Sequence, residues 1–288
     1  MQEVARSTIA KLLATENVTV VQDNVRTASF DIKHRILTLP MWADIATSTQ
    51  DHLIGHEVGH ALYTPLDGWH DAVCDNGPAF KTFLNVVEDA RIEKLIQRKY
   101  PGLRGPFIKS YKKMMADGFF GGTIDDINKM PLIDRINVYF KCGQTSGVRF
   151  TSEEKAWLPR IDTLETWEEV VALVEELYGE AKKELEKQKE EAQMDADDDM
   201  DLDDLEGADG EMSDDMESGE QGEEENSSYG EAEDEFDDLF DESYGEEASS
   251  GIEGSGPIEP ISQTDKNLRD KIEEELTQPT TSEVINYV

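Results

Sequence analysis

A chain of 288 residues is long enough for one large or two modest domains. Of its net charge of -38, -28 falls between Glu191 and Ser250, a stretch with 28 acidic residues and no Lys or Arg, leaving -10 for the rest. Without a net basic surface, nucleic-acid binding through phosphate neutralisation is not expected; without a run of ~18 or more apolar residues, neither is a membrane span.

The first twenty residues carry charge early and lack a long apolar core, so no signal peptide is expected. Cys74 and Cys142 form no C-x-x-C pattern and suit a reducing compartment. The expected location is cytoplasmic, the host cytoplasm if the chain is phage-encoded.

Val4, Ile9, Leu12 and Leu13 predict a helix over residues 2–14. Val18–Val21, Ala28–Ile32 and Ile36–Leu39, the last ended by Pro40, read as short strands. The edge of such a sheet can hold an extended peptide by main-chain hydrogen bonds. A helix then begins near Ser48, with Asp51 three residues on in a capping-box-like arrangement, and ends before Pro65. Ile54, Val58 and Ala61 form its inward stripe. Gly55 and Gly59 each cost up to ~1 kcal/mol relative to Ala, a cost expected to serve close approach of a neighbouring backbone.

Asp67-Gly68 and Asp75-Asn76-Gly77-Pro78 read as turns. A second helix is expected from about Ala79 to Arg98, with Phe80, Leu84, Val87 and Leu95 inward. Arg104–Gly122 reads as an aromatic core-packing loop, with a substrate-cleft wall as the alternative. Leu132–Cys142 predicts a helix. Another opens with a capping box at Thr166 and Glu169, lined by Val170, Leu173, Val174 and Leu177, and continues as a charged, exposed helix over 181–192. The folded domain is expected to span residues 1–180. Residues 181–258 hold the charged helix end and an acidic linker too poor in apolar residues to repay ordering. Residues 259–288 form a tail with a short helix near 267–276 and no domain.

The chemistry is concentrated in Asp51–Tyr63, which contains His56-Glu57-x-x-His60. Four positions apart on a helix, the two imidazoles project from one face and can hold one metal ion. Glu57, turned ~100° around the axis, can act as a base without being a ligand. Neutral nitrogen ligands, an open coordination position and an adjacent base are what zinc hydrolysis needs. A third ligand must come from elsewhere, and Glu88, Asp89, Glu93 and His70 are candidates. Glu88 is preferred, because it lies between Leu84 and Ile92 on nearly the inward face, where an unpaired carboxylate is costly. Asp89 suits a supporting role, accepting from a ligand histidine's other ring nitrogen, and Arg91 can brace the carboxylates as a bidentate partner. Tyr63, His70 and Tyr111 are candidate oxyanion donors.

The motif helix, together with Asn85-Val86-Val87-Glu88-Asp89-Ala90-Arg91-Ile92-Glu93, resembles the zincin metallopeptidase domains of phage and bacterial proteins. In these the domain often precedes an acidic linker and a von Willebrand A-like domain, as in cobaltochelatase subunits of the CobT type. The resemblance covers roughly residues 30–100 and the domain-then-acidic-tract order. It implies an α+β, zincin-like fold with a small N-terminal sheet, an active-site helix and a mainly helical remainder. It further implies a gluzincin arrangement: Zn2+ held by His56, His60 and Glu88, with Glu57 as general base. One departure is that no D-x-S-x-S metal site follows an apolar strand, so a von Willebrand A-like domain would come from another chain.

Two functions are therefore carried forward. The first is a zinc metallopeptidase acting on a protein or peptide, with an AAA-type ATPase or von Willebrand A-like partner. The second is a non-catalytic zinc-containing interaction module whose acidic tail recruits a basic partner or an ATPase. Glu57 favours the first, since a purely structural site needs no base there.

Overall fold

A computed structural model of the chain describes residues 18–23, 29–31, 34–41, 46–198 and 259–276. The helix expected over 2–14 and residues 199–258 of the expected acidic linker lie outside them. The described residues are mainly helical, with one small sheet. Strands β1 (Thr19–Asp23), β2 (Ser29–Asp31) and β3 (Ile36–Pro40) occur where the β-branched runs predict them, in the order β1-β3-β2. β3 is central, parallel to β1 with Thr19 opposite Ile36 and antiparallel to β2 with Ser29 opposite Thr38. Leu37 and Leu39, on one face of β3, are fully buried.

Helix α1 (Thr47–Tyr63) follows the sheet. Its N-cap is Ala46, two residues before the expected Ser48, and has no side-chain cap, so the capping box expected at Ser48 and Asp51 does not form. Leu53, Ile54 and Val58 anchor α1 in a cluster with Leu37, Leu39, Ile96, Leu103 and Phe107; complete burial of such side chains contributes about 1.5–3 kcal/mol each. Gly55 and Gly59 serve close packing, but of neighbouring side chains rather than of the neighbouring backbone expected. A Cβ on Gly55 would lie 3.1 Å from Leu103 Cδ1, and one on Gly59 2.9 Å from Ile92 Cδ1.

Helix α2 (Leu66–Lys99) is longer than the sequence suggests and is broken at Gly77, whose φ of 85° and ψ of 177° are non-helical. The Asn76-Gly77-Pro78 punctuation is therefore a kink between two helical halves. Asp67-Gly68, expected as a turn, instead lies in the helix's first turn, where an acidic side chain suits the dipole. The second half carries Phe80, Phe83, Leu84 and Val87 into a separate apolar cluster. That cluster is completed by Val170, Leu173, Val174 and Leu177 of helix α7 (Trp167–Asp198). Thr166 and Glu169 form the expected reciprocal cap: the Thr166 N–H donates to Glu169 Oε2 at 3.0 Å, and the Glu169 N–H to Thr166 Oγ1 at 3.3 Å.

The segment expected as a loop from Arg104 is helix α3 (Arg104–Ala116), with Phe107, Tyr111 and Met114 on its buried side. Pro106 falls in its first turn, where the missing N–H leaves no partner unsatisfied. Short α4 (Ile124–Ile127), α5 (Leu132–Cys142) and α6 (Trp157–Asp162) follow. Beyond the acidic linker, α8 (Gln263–Lys271), extended by a turn over Ile272–Leu276, packs against α2 and α5. The short helix expected near 267–276 thus starts earlier and rests against the preceding helices. No helix among the described residues is long and apolar enough to cross a membrane.

Candidate metal centre

Between the two apolar clusters, α1 and the second half of α2 face each other through polar side chains. His56 Nδ1 lies 3.0 Å from Glu93 Oε1, and His60 Nε2 3.1 Å from Asp89 Oδ1. One turn further on, Thr64 Oγ1 donates to Glu88 Oε1 at 2.5 Å. Ascending numbers on one helix meet descending numbers on the other, so the two run antiparallel. The four-residue spacing of His56 and His60 matches that of Asp89 and Glu93.

The ring nitrogens divide into two sets. His56 Nε2 and His60 Nε2 both point at Asp89 Oδ1, at 3.8 and 3.1 Å. Each Nδ1 is held from behind, His56 by Glu93 and His60 by Thr64 Oγ1 at 3.0 Å. Because the Thr64 hydroxyl proton goes to Glu88, its oxygen accepts from His60 Nδ1–H. That leaves His60 Nε2 facing Asp89 Oδ1 at 3.1 Å, a contact that either a proton on Nε2 or a bound cation bridges. Ligand histidines characteristically donate their second nitrogen to an oxygen in this way.

Asp89 and Glu93 share one buried cation. Lys141, in the last turn of α5, places Nζ 2.7 Å from Asp89 Oδ2 and 3.5 Å from Glu93 Oε1. It also donates to Tyr111 Oη at 3.2 Å, and the Tyr111 hydroxyl donates to Glu93 Oε1. Burial opposes ionisation of Asp89, but Lys141, His56 and His60 outweigh it and hold the carboxyl well below its ordinary range. Glu93 is lowered against the same opposition by Lys141 and His56. Burial disfavours charge on Lys141 too, yet Asp89 and Glu93 raise it. His56 is likewise raised despite burial, by Asp89, the Glu93 hydrogen bond and the nearby charge of Glu57.

Glu88 is fully buried, as its flanking residues suggest, but its carboxylate is engaged by Arg91 rather than by the histidines. Arg91 Nε donates to Oε2 at 2.8 Å and Nη2 to Oε1 at 2.6 Å, the bidentate brace anticipated for this arginine. The side chain that joins His56 and His60 is Asp89. A step of one residue turns a side chain by ~100°, which separates the two acids: Glu88 faces Thr64 and Arg91, and Asp89 faces the imidazoles. Glu93 supports His56. His70 is exposed on the first half of α2 beside Cys74, with Nε2 to Sγ at 3.5 Å, outside the cluster. Tyr63 supplies its carbonyl to Arg91, whereas Tyr111 lies at the back of the site against Glu93. Glu57 is half-buried beside His56 and lies in the field of Arg269 from α8.

The donor set fits a divalent ion of zinc's type. Two imidazole nitrogens and a carboxylate oxygen lie within 4.8 Å of one another, and bonds of ~2.0–2.2 Å in a tetrahedron require mutual separations of roughly 3.4 Å. The observed 3.1 and 3.8 Å straddle that value.

Lys141 is the residue that the sequence reading does not single out. Its signal is positional. It lies one turn after Asn137 and two after Ile133, both buried, so it continues the inward face of α5. A lysine at such a position needs a carboxylate partner. Comparison with protein-family models, curated proteins and solved structures finds no match to this chain.

Proposed function

We propose that the chain is a zinc-dependent metallopeptidase, and that the zincin-like reading of its α+β fold is the right one. The observation that carries this is the convergence of His56 Nε2 and His60 Nε2 on Asp89 Oδ1, with both Nδ1 atoms pinned from behind and Glu57 alongside. His56, His60 and Asp89 hold the ion, in place of the Glu88 ligand that the resemblance implies. Zinc, when bound, polarises a substrate carbonyl and makes water more acidic. Glu57 accepts the proton of the attacking water and returns it to the leaving amine. Glu93 and the Thr64–Glu88–Arg91 chain keep the imidazoles in the tautomer that presents Nε2. Lys141 fixes Asp89 through Oδ2, leaving Oδ1 to the ion. Among the described residues β1 and β2 are the edge strands of the sheet, and either offers main-chain groups for an extended peptide. An AAA-type ATPase or a von Willebrand A-like protein is the proposed partner.

The test is zinc content and cleavage of an unfolded polypeptide by the purified protein. Wild type should bind one zinc and cleave. Glu57→Gln should bind zinc and fail to cleave; full retained cleavage sinks the mechanism. A second reading, a zinc site in a non-catalytic module, is favoured by burial alone, since the His56 and His60 side chains are only 16% and 8% exposed. Zinc binding without cleavage of any substrate by wild type decides for it.

A further inference from the structure

Helix α8 enters the fold through a polar pocket. Asp134 Oδ1 accepts three hydrogen bonds from its first turn: Thr264 N–H at 2.7 Å, Thr264 Oγ1 at 2.9 Å and Ser262 Oγ at 3.1 Å. The Ser262 N–H donates to Thr82 Oγ1 at 2.9 Å, Asn137 Nδ2 to Thr264 Oγ1 at 3.0 Å and Asn85 Nδ2 to Asp265 Oδ2 at 3.1 Å. Ser262, Thr264 and Asp265 are buried, and Leu268 alone of α8 joins the apolar core as a fully buried member. A Ser-x-Thr-Asp helix start, polar in every position that matters, is thus read by side chains of α2 and α5.

The pocket is not saturated by this occupant. Asp134 Oδ2, Asn85 Oδ1 and Asn137 Oδ1 are buried without a hydrogen-bond partner. Buried acceptors left in this state work against docking. Covalent attachment through residues 199–258 makes the docking intramolecular, so contacts too weak for a free peptide suffice. Asn85 and Asn137, which hold Asp265 and Thr264, lie one turn before Asp89 on α2 and Lys141 on α5, so the start of α8 adjoins the centre, and the same helix carries Arg269, tied to Asp265 at 3.2 Å. Its charge is stabilised by Asp265 and then by Asp89 and Glu57, against the cost of burial.

We propose that the Thr82–Asn85–Asp134–Asn137 pocket is a docking site whose resident is this chain's own Ser262–Lys271 segment, bound in cis as a removable cover over Glu57 and Asp89. The docking stands on its own contacts; its effect on hydrolysis rests on the metallopeptidase reading. Release of the segment withdraws Arg269 from the two carboxylates and opens the centre to ion and substrate.

The test uses the full chain and the double variant Ser262→Ala/Thr264→Val, which touches no residue of the centre. Amide hydrogen exchange over 262–271 should quicken by about tenfold or more, the change that losing one buried charged hydrogen bond corresponds to. Helix α1 and the second half of α2 should keep their protection. Carbodiimide labelling of Glu57 in the metal-free protein, read by mass spectrometry, should quicken with it, and so should Zn2+ uptake. Asp134→Leu, which removes the acceptor of all three bonds, should give the same pattern from the other side of the pocket. Unchanged exchange in both variants overturns the docking. Loss of protection throughout the domain does so too, by making the segment part of the core. Faster exchange with unchanged Glu57 labelling overturns the cover. Wild-type protection of 262–271 that falls on dilution places the segment in a second copy and overturns binding in cis. Faster labelling in a protein that binds no zinc upholds the cover and removes the metallopeptidase reading instead.

Discussion

Lys141 Nζ and Asp89 Oδ2 are 2.7 Å apart, with both side chains about 95% buried. The pair joins the last turn of α5 to the middle of α2 and ties Asp89 down on the side away from the histidines. Removing one partner of a buried ion pair leaves an uncompensated charge, at a cost of about 3–5 kcal/mol. Lys141→Met should destabilise the metal-free protein by that order in chemical denaturation. A divalent ion at Asp89 would supply part of the missing positive charge. Added zinc should therefore raise the melting temperature of the variant by more than that of wild type, and an equal rise in both would remove the coupling.

How much of this could be read from the sequence depended on whether the signal was local. β3 and α1 carry their burial pattern in period two and period 3.6, so Leu37, Leu39, Ile54 and Val58 were legible directly. His56 and His60 were legible because four-residue spacing fixes their common face. Asp89 against Glu88 was not, since both acids lie near the inward face and only the position of Arg91 and Thr64 separates them. Arg104–Ala116 reads as a loop from the aromatic and glycine content of Arg104–Gly122, and the helix tolerates Pro106 because it lies in the first turn. Ser262, Thr264 and Asp265 were not singled out, because their partners Thr82, Asn85, Asp134 and Asn137 are distant in sequence.

His52 lies one turn before His56, enclosed by Phe107 and Tyr111 at ring separations of 4.5 and 4.3 Å. Burial pushes its pKa down to about 3 from the ordinary 6.5; Glu93 opposes the shift, and His56 and Lys141 add to it. The unfolded chain therefore takes up a proton at this residue as pH falls through 6.5, while the folded chain does not until about 3. Across that window the unfolded state binds more protons, so this histidine makes stability fall with falling pH. His52→Phe keeps the ring packing and removes the titration. Urea denaturation of the metal-free proteins should show a smaller stability loss between pH 6.5 and 5 in the variant, at values bracketed by the same two pKa limits. An unaltered pH slope would exclude a buried neutral His52.

Gly77 separates the two halves of α2 at φ 85° and ψ 177°, with no atom within 4 Å of a Cβ built there. Any penalty for a side chain is therefore backbone strain alone, of order 1–3 kcal/mol in a region accessible essentially only to glycine. Gly77→Ala should lower stability by about that amount, without loss of helix content by circular dichroism. A neutral or stabilising effect would mean that α2 can pass through residue 77 without this kink.

Asp89 and Glu88 are adjacent acids with opposite assignments, and substituting each by its amide separates them. Asp89→Asn removes the anionic oxygen that faces both Nε2 atoms. It should cost the site at least the ~10–100-fold in affinity seen when a supporting group is lost, measured by competition with a chromophoric chelator. Glu88→Gln leaves that oxygen in place but strips Arg91 of its bidentate partner inside the fold. Its main effect should be on stability, about 3–5 kcal/mol as for other broken buried pairs, with a smaller change in zinc affinity transmitted through Thr64 to His60. Because Thr64 Oγ1 both accepts from His60 and donates to Glu88, Thr64→Val should reproduce that smaller affinity change without the arginine's penalty. The reverse ordering, with Glu88→Gln abolishing zinc binding and Asp89→Asn leaving it intact, would return the third ligand to Glu88 and require α2 to rotate on metal binding.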